Sequence, residues 1–131
     1  MSKSIGDAAF RMAKNDETWQ EMTYGGALSF ARRRYSRDLD GVAVAVCGIP
    51  FDNAVTYRSG CRLGPRAIRA GSVQLAELSH FPFGFNPFDT LGVVDYGDCF
   101  LDPHHPDTVS GSIMAQAETI ISSGTKMLSL G

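Results

Sequence analysis

The sequence predicts an α/β fold: a parallel sheet with right-handed crossovers and helices on both faces. Three observations carry this. Val42–Ile49 is a continuous apolar run rich in β-branched residues, and continuity rather than alternation marks a strand covered on both sides. Two further apolar runs follow, with a helical pattern in each interval, so the order reads strand, helix, strand, helix, strand. Two complete strands and a third that starts only near Met127 would leave an unprotected sheet edge, which predicts that residues 41–131 are the N-terminal portion of a larger, truncated domain.

Residues 1–40 read as an N-terminal arm, polar and weakly patterned. The basic triplet Arg32-Arg33-Arg34, with Arg37, Asp38 and Asp40, predicts a solvated face, with contact to a neighbouring subunit as the alternative. After the first strand Pro50 stops the ladder, because proline has no N–H to give it. Gly64-Pro65 opens a helix, and Ile68, Leu75, Ala76 and Leu78 continue its apolar face as far as His80. Gly71 weakens that helix by about 1 kcal/mol relative to alanine. Phe81-Pro82-Phe83-Gly84-Phe85-Asn86-Pro87-Phe88 cannot continue it and reads as an aromatic loop. Its phenylalanines are expected to anchor beneath neighbouring elements, with a ligand-facing or oligomer surface as the alternative. Leu91–Asp95 is the second strand and Tyr96-Gly97-Asp98 its turn. A helix over 106–123 places Val109, Ile113, Ala117, Ile120 and Ile121 on one face, and Gly124 sits where a C′ residue is wanted. Lys126 leads into the third strand, Met127–Gly131.

Composition excludes several classes. The chain has 131 residues, and a compact chain of that size buries about 70% of its unfolded surface. A hydrophobic share of 44% and a charged share of 20% are ordinary for a soluble globular protein. A net charge of -2 gives no reason to expect nucleic acid or an anionic membrane as partner. No apolar run approaches the ~20 residues that span a bilayer. The N-terminus, M-S-K-S-I-G-D-A-A-F-R, lacks the apolar stretch of a secretory signal. Cys47, Cys61 and Cys99 are odd in number and have no C-x-x-C spacing, which points to a reducing compartment; a cytoplasmic location is expected.

Two constellations could carry chemistry. The loop after the first strand holds Arg58, Arg62, Arg66 and Arg69, with Gly60 and Gly64 between them. Glycines before a helix N-terminus can cradle an anion, but the spacing matches neither phosphate-binding pattern, G-x-x-x-x-G-K-[ST] or G-x-G-x-x-G. The rival account pairs the arginines with carboxylates such as Asp52, Glu77 or Asp95, bracing the loop against the sheet, and the residues favour it. The second constellation runs Asp95-Tyr96-Gly97-Asp98-Cys99-Phe100-Leu101-Asp102-Pro103-His104-His105, at the carboxyl end of a parallel strand where α/β folds place their chemistry. A metal site here is disfavoured, because adjacent histidines after a proline do not converge on one ion. Asp95 and Asp98 are expected to orient neighbours or cap turns. Cys47 reads as buried and inert. Cys61, among arginines, is either a thiol of lowered pKa or a filler, and the filler is favoured.

G-I-P-F-D (48–52), Y-R-S-G-C-R-L-G-P-R-A-I-R (57–69) and V-V-D-Y-G-D (93–98), in this order and spacing, resemble the N-terminal third of the ureohydrolase (arginase–agmatinase) family. T-Y-G-G-A-L-S-F (23–30), F-P-F-G-F-N-P-F (81–88) and K-M-L-S-L-G (126–131) resemble segments of its agmatinase branch. The resemblance covers residues 23–131. It implies a three-layer α-β-α, arginase-like fold on a parallel eight-stranded sheet. It also implies hydrolysis of a linear guanidino compound such as agmatine to an amine and urea, with two Mn²⁺ ions sharing a hydroxide, in a protein that is a homo-oligomer when intact. The family's ligands come from G-G-D-H, D-x-H-x-D and D-x-D; the sequence stops after the first glycine of the first of these. No catalytic, substrate-binding or metal-ligating role therefore falls on a numbered residue, and the chain by itself is expected to be inactive. In the family, the segment 48–69 shapes and braces the fold and its subunit contacts. Two other readings remain open at this point: a non-catalytic assembly or binding module, and a small anion-binding α/β domain.

Overall fold

The computed structural model of the chain describes residues 21–76 and 78–131. The first half of the expected arm, 1–20, and any pairing of the arginines with Glu77 lie outside the described residues. The elements are β1 (Val44–Gly48), α1 (Gly64–Ser72), β2 (Val93–Asp98), α2 (Val109–Ser122) and β3 (Lys126–Leu130). No helix among them is long and apolar enough to cross a membrane.

The sheet has the order β2-β1-β3, parallel throughout, with Val44 facing Val93 on one side and Lys126 on the other. β1 is therefore central, which is why its sequence shows no alternation: Ala45, Val46 and Cys47 are all fully buried. Ala45, Cys47, Val94 and Tyr96 turn to one face and close a core with Ile120 of α2, flanked by Leu39, Val42 and Met127. The opposite face takes α1. A Cβ at Gly48 would collide with Asp98 and lie 2.9 Å from Pro65 Cβ, so only glycine lets this helix approach so closely. The predicted arrangement of helices on both faces holds.

Register slips once. Val46 faces Asp95, but Cys47 faces Gly97, so β2 carries an extra residue opposite this point. Gly97 absorbs it with φ +82, in a space where a Cβ would lie 2.6 Å from the Tyr35 hydroxyl. Tyr96-Gly97-Asp98 is thus strand, not the predicted turn, because the bulge lets Gly97 and Asp98 keep pairing with Cys47 and Gly48. The outer edge of β2 is covered by the chain around Tyr35: Asp95 N–H donates to Arg34 O, and Ser36 N–H to Asp95 O, both at 2.9 Å. β3 has no strand on its far side among the described residues, and Leu128 there is 45% exposed.

Four other expectations are corrected. The first helix does not run to His80; its regular part ends at Ser72 and tightens into a 3₁₀ turn over Val73–Leu75. Ser72 Oγ donates to Arg69 O at 2.7 Å, a local bond that competes with the helical ladder. On α2, Ile120 is buried but Ile121 is exposed, since a 14-residue helix offers the sheet a narrow stripe. The aromatic loop is not anchored: Phe81, Phe83 and Phe85 are exposed and only Phe88 is half-buried. The basic triplet is not a solvated face, because Arg32 and Arg33 are buried. Arg32 donates to Met22 O at 2.6 Å and to Gly25 O, while the Arg33 guanidinium lies 4.4 Å from the Phe88 ring centre. Gly124, with φ +85, closes α2 as predicted, its N–H reaching Ile121 O at 3.0 Å.

The adjacent isoleucines give the core its test. Ile120→Ala should lower the stability measured by urea denaturation by about 2–5 kcal/mol, whereas Ile121→Ala should change it by no more than about 0.5 kcal/mol. Equal losses would mean that α2 does not pack in this orientation.

Candidate functional site

The three parallel strands end side by side, as α/β sites require. Ile49 N–H donates to Leu130 O at 2.7 Å, and Cys99 N–H to Gly48 O at 2.8 Å, so the ends of β3, β1 and β2 are stitched together. Between the segments that leave β1 and β2 lies a cleft of about 170 Å³, walled by 50–53 and 101–103 and crossed by Arg62.

In the basic loop, Arg62 is neutralised from within by Asp52. The Asp52 side chain is fully buried; its Oδ2 accepts from the backbone N–H groups of Gly60 at 2.7 Å and Arg62 at 3.4 Å. Its Oδ1 accepts from Arg62 Nε at 2.7 Å. The amides that could have cradled an external anion hold the chain's own carboxylate. The Gly60 amide, against the opposing effect of burial and with help from Arg62, holds the Asp52 carboxyl below its ordinary value. Of the other arginines, Arg66 is exposed and Arg58 lies outside this network, exposed, with its guanidinium 5.6 Å from the Tyr57 ring centre.

Arg69 does the second bracing. It crosses from α1 to the sheet, with Nε 2.8 Å from Asp95 Oδ2, Nη2 3.0 Å from Asp95 Oδ1 and Nη1 2.6 Å from Asp98 Oδ1. Burial alone would lower the guanidinium pKa, but the hydrogen bonds to Asp95 and Asp98 outweigh it and hold the group charged. Asp95 also accepts from Phe30 N–H at 2.7 Å and Gly97 N–H at 3.0 Å. Both its oxygens are thus occupied by donors, which satisfies a carboxylate with no solvent exposure.

The remaining candidates do not converge. His105 Nδ1 lies 2.8 Å from Asp102 Oδ2, while His104 uses its backbone N–H on Asp102 Oδ1 at 2.9 Å. The His105 ring, then the His104 amide, hold Asp102 below its ordinary value. Among the described residues no group of three or more His, Cys, Asp or Glu is placed to hold a metal ion. Burial pushes the thiols of Cys47 and Cys99 up, away from the thiolate form, and Gln116 Nε2 donates to Cys47 Sγ; Cys61 is exposed.

Sequence reasoning found Arg62, Arg69, Asp52, Asp95 and Asp98, and the structure pairs them. It missed the anchorage of 29–32. Ala31 and Arg32 have φ of 45 and 50, a left-handed conformation that non-glycine residues seldom adopt. Tertiary bonds hold them there: Phe30 N–H to Asp95, and Ala31 N–H to Ser72 Oγ at 2.7 Å. Nothing in the local sequence signals such a turn.

A parallel sheet covered on both faces, with a carboxylate–arginine brace under its strand ends, defines an α/β protein of the three-layer class. The Arginase family model matches residues 42–131, and the chain belongs to that family. It is 59% identical over 126 residues to an agmatinase of Chromobacterium violaceum, covering 96% of this chain and 39% of that protein. An agmatinase of Citrobacter koseri is 41% identical over 98 residues, covering 74% of this chain and 31% of that one. The crystal structure of a hypothetical agmatinase from Burkholderia thailandensis superposes with a TM-score of 0.85 and 55% identity, over 95% of this chain and 39% of that chain. The chain thus spans about two fifths of the length of the Chromobacterium violaceum relative.

Two measurements test the braces. Asp95→Ala should cost about 3–5 kcal/mol in urea denaturation, because it strands the Arg69 charge in the interior. For Asp52, the folded carboxyl ionises at lower pH than the unfolded one, so its stabilisation is complete above the unfolded value of about 4 and is lost as pH falls through the folded value. Asp52→Asn should therefore be less stable than the parent at neutral pH, and the gap should close on acidification. A gap independent of pH would refute the ionic brace.

Proposed function

We propose that the whole protein carrying this chain is an agmatinase-like ureohydrolase. It adds water to the guanidinium carbon of a linear substrate such as agmatine, breaks the C–N bond to the alkyl amine, and releases the protonated amine and urea. The 59% identity to an agmatinase across nearly the whole chain carries this reading. On the family resemblance, the reaction depends on a pair of Mn²⁺ ions and the intact protein is a cytoplasmic homo-oligomer. The donor sets of the described residues do not fit such a pair of ions: Asp98 is committed to Arg69, and Asp102 to His104 and His105. The role proposed for this chain is accordingly to hold the strand ends in register beneath the reaction. The occupation of the Gly60 and Arg62 amides by Asp52 supports scaffold over anion binding for the basic loop.

Urea assays decide the matter. The intact protein, supplied with Mn²⁺ and agmatine, should release urea and a diamine in equal amounts, and the purified 131-residue chain should release none. Absence of urea from the intact protein with every linear guanidino substrate would sink the functional reading. Turnover by the short chain would sink the scaffold role.

A further inference from the structure

Gly64, the first residue of α1, is a glycine whose backbone does not require one. Its φ of -56 and ψ of -53 are ordinary right-handed helix, where nearly every other residue is preferred to glycine. Gly60, just upstream in the same loop, differs: its φ is +127, and nothing lies within 4 Å of where a Cβ would stand. Gly60 answers to conformation. Gly64 answers to space. A Cβ there would lie 3.0 Å from the Gly131 carbonyl oxygen and 3.2 Å from its carbon, both backbone atoms with no rotamer to escape into.

That contact completes a set. The early part of α1 touches the carboxyl ends of all three strands. Pro65 packs on Gly48 at the end of β1, so closely that a Cβ built at residue 48 would lie 2.9 Å from its own Cβ. Arg69 reaches Asp98 at the end of β2, with Nη1 2.6 Å from Oδ1. Gly64 meets Gly131, the residue that follows β3. Sideways, β3 is already tied to β1, since Ile49 N–H donates to Leu130 O at 2.7 Å. What α1 adds is the distance at which the chain at Gly131 stands from the helix.

In parallel α/β sheets the chain leaving the carboxyl end of a strand enters the crevice where reacting groups are held. Displacing such a group by a fraction of an ångström costs turnover more than binding, because the bound substrate is then out of line for attack. We infer that Gly64 is a positioning residue for the proposed hydrolysis: its missing side chain lets α1 fix the backbone at Gly131, and with it the segment that enters the crevice from β3. The inference rests on that functional reading, and Gly64 acts through Gly131.

Gly64→Ala in the intact protein tests it, with Gly71→Ala as the control. The control makes the same exchange on the same helix, at a site where a Cβ meets nothing within 4 Å. Assayed where circular dichroism shows all three proteins folded, Gly64→Ala should lower kcat for urea release about tenfold and leave KM within about twofold. Gly71→Ala should match the parent in both. Amide hydrogen exchange gives a reading that needs no turnover. The Ile49 N–H, bonded to Leu130 O, should exchange at least about tenfold faster in Gly64→Ala than in the parent, and no faster in Gly71→Ala. A Gly64→Ala protein with the parent kcat, one whose loss falls on KM, one that fails to fold, or one whose Ile49 amide exchanges at the parent rate would each overturn the assignment. A parent that releases no urea sinks the functional reading instead, and the exchange rates then still decide whether Gly64 sets the end of β3.

Discussion

The contact between Arg69 and Asp95 is the constraint on which the rest of this structure depends. Asp95 has no exposure to solvent, yet it sits in the middle of a strand and accepts four hydrogen bonds. The donors come from three parts of the chain: two from Arg69 on α1, one from Gly97 in the bulge of β2 and one from Phe30 in the segment leading into the sheet. One carboxylate thereby fixes the distance of the helix from the sheet, the slip in strand register and the seat of residues 29–32. A hydrophobic pair could fill the same volume and cost less desolvation, but it would not dictate direction. Directionality is the contribution here.

Asp98 extends the same logic to the strand ends. It accepts from the same guanidinium, and the space it needs beside β1 is open only because residue 48 has no side chain. Gly48, Pro65 and Arg69 are thus one requirement seen from three positions. The consequence is a short, rigid junction in which the ends of β1, β2 and β3 are joined by backbone hydrogen bonds. Asp52 performs a parallel service in the loop, folding the amides of Gly60 and Arg62 onto a buried carboxylate. Charge is abundant at this end of the sheet, and nearly all the arginine–carboxylate part of it is spent on bracing.

The organisation of the core was legible because it follows from periodicity. A central strand buried on both faces has to read as Val-Ala-Val-Cys, and a helix that meets a glycine in a left-handed position has to stop. The two arginine–carboxylate braces were legible as residue types without their partners' geometry: Arg62 and Arg69 found Asp52 and Asp95, while Arg58 and Arg66 did not join them. The arm was illegible. Arg32 and Arg33 carry the composition of a solvated surface but are buried, because backbone carbonyls and the Phe88 ring accept them. The aromatic loop erred in the opposite direction, its composition promising burial and its hydrogen bonds holding the rings outward.

By itself the sequence determined the parallel α/β order, the burial of β1 on both faces and the family to which its three motifs belong. These rest on local period and on residue spacing, which a chain carries without folding. Only the tertiary structure decided that Asp52 fills the basic loop, that Asp95 gathers three segments onto one carboxylate, that Gly97 continues a strand rather than ending it, and that Ala31 and Arg32 turn left-handed. Each depends on atoms brought together from distant positions, and no local preference records which donor a buried oxygen will meet.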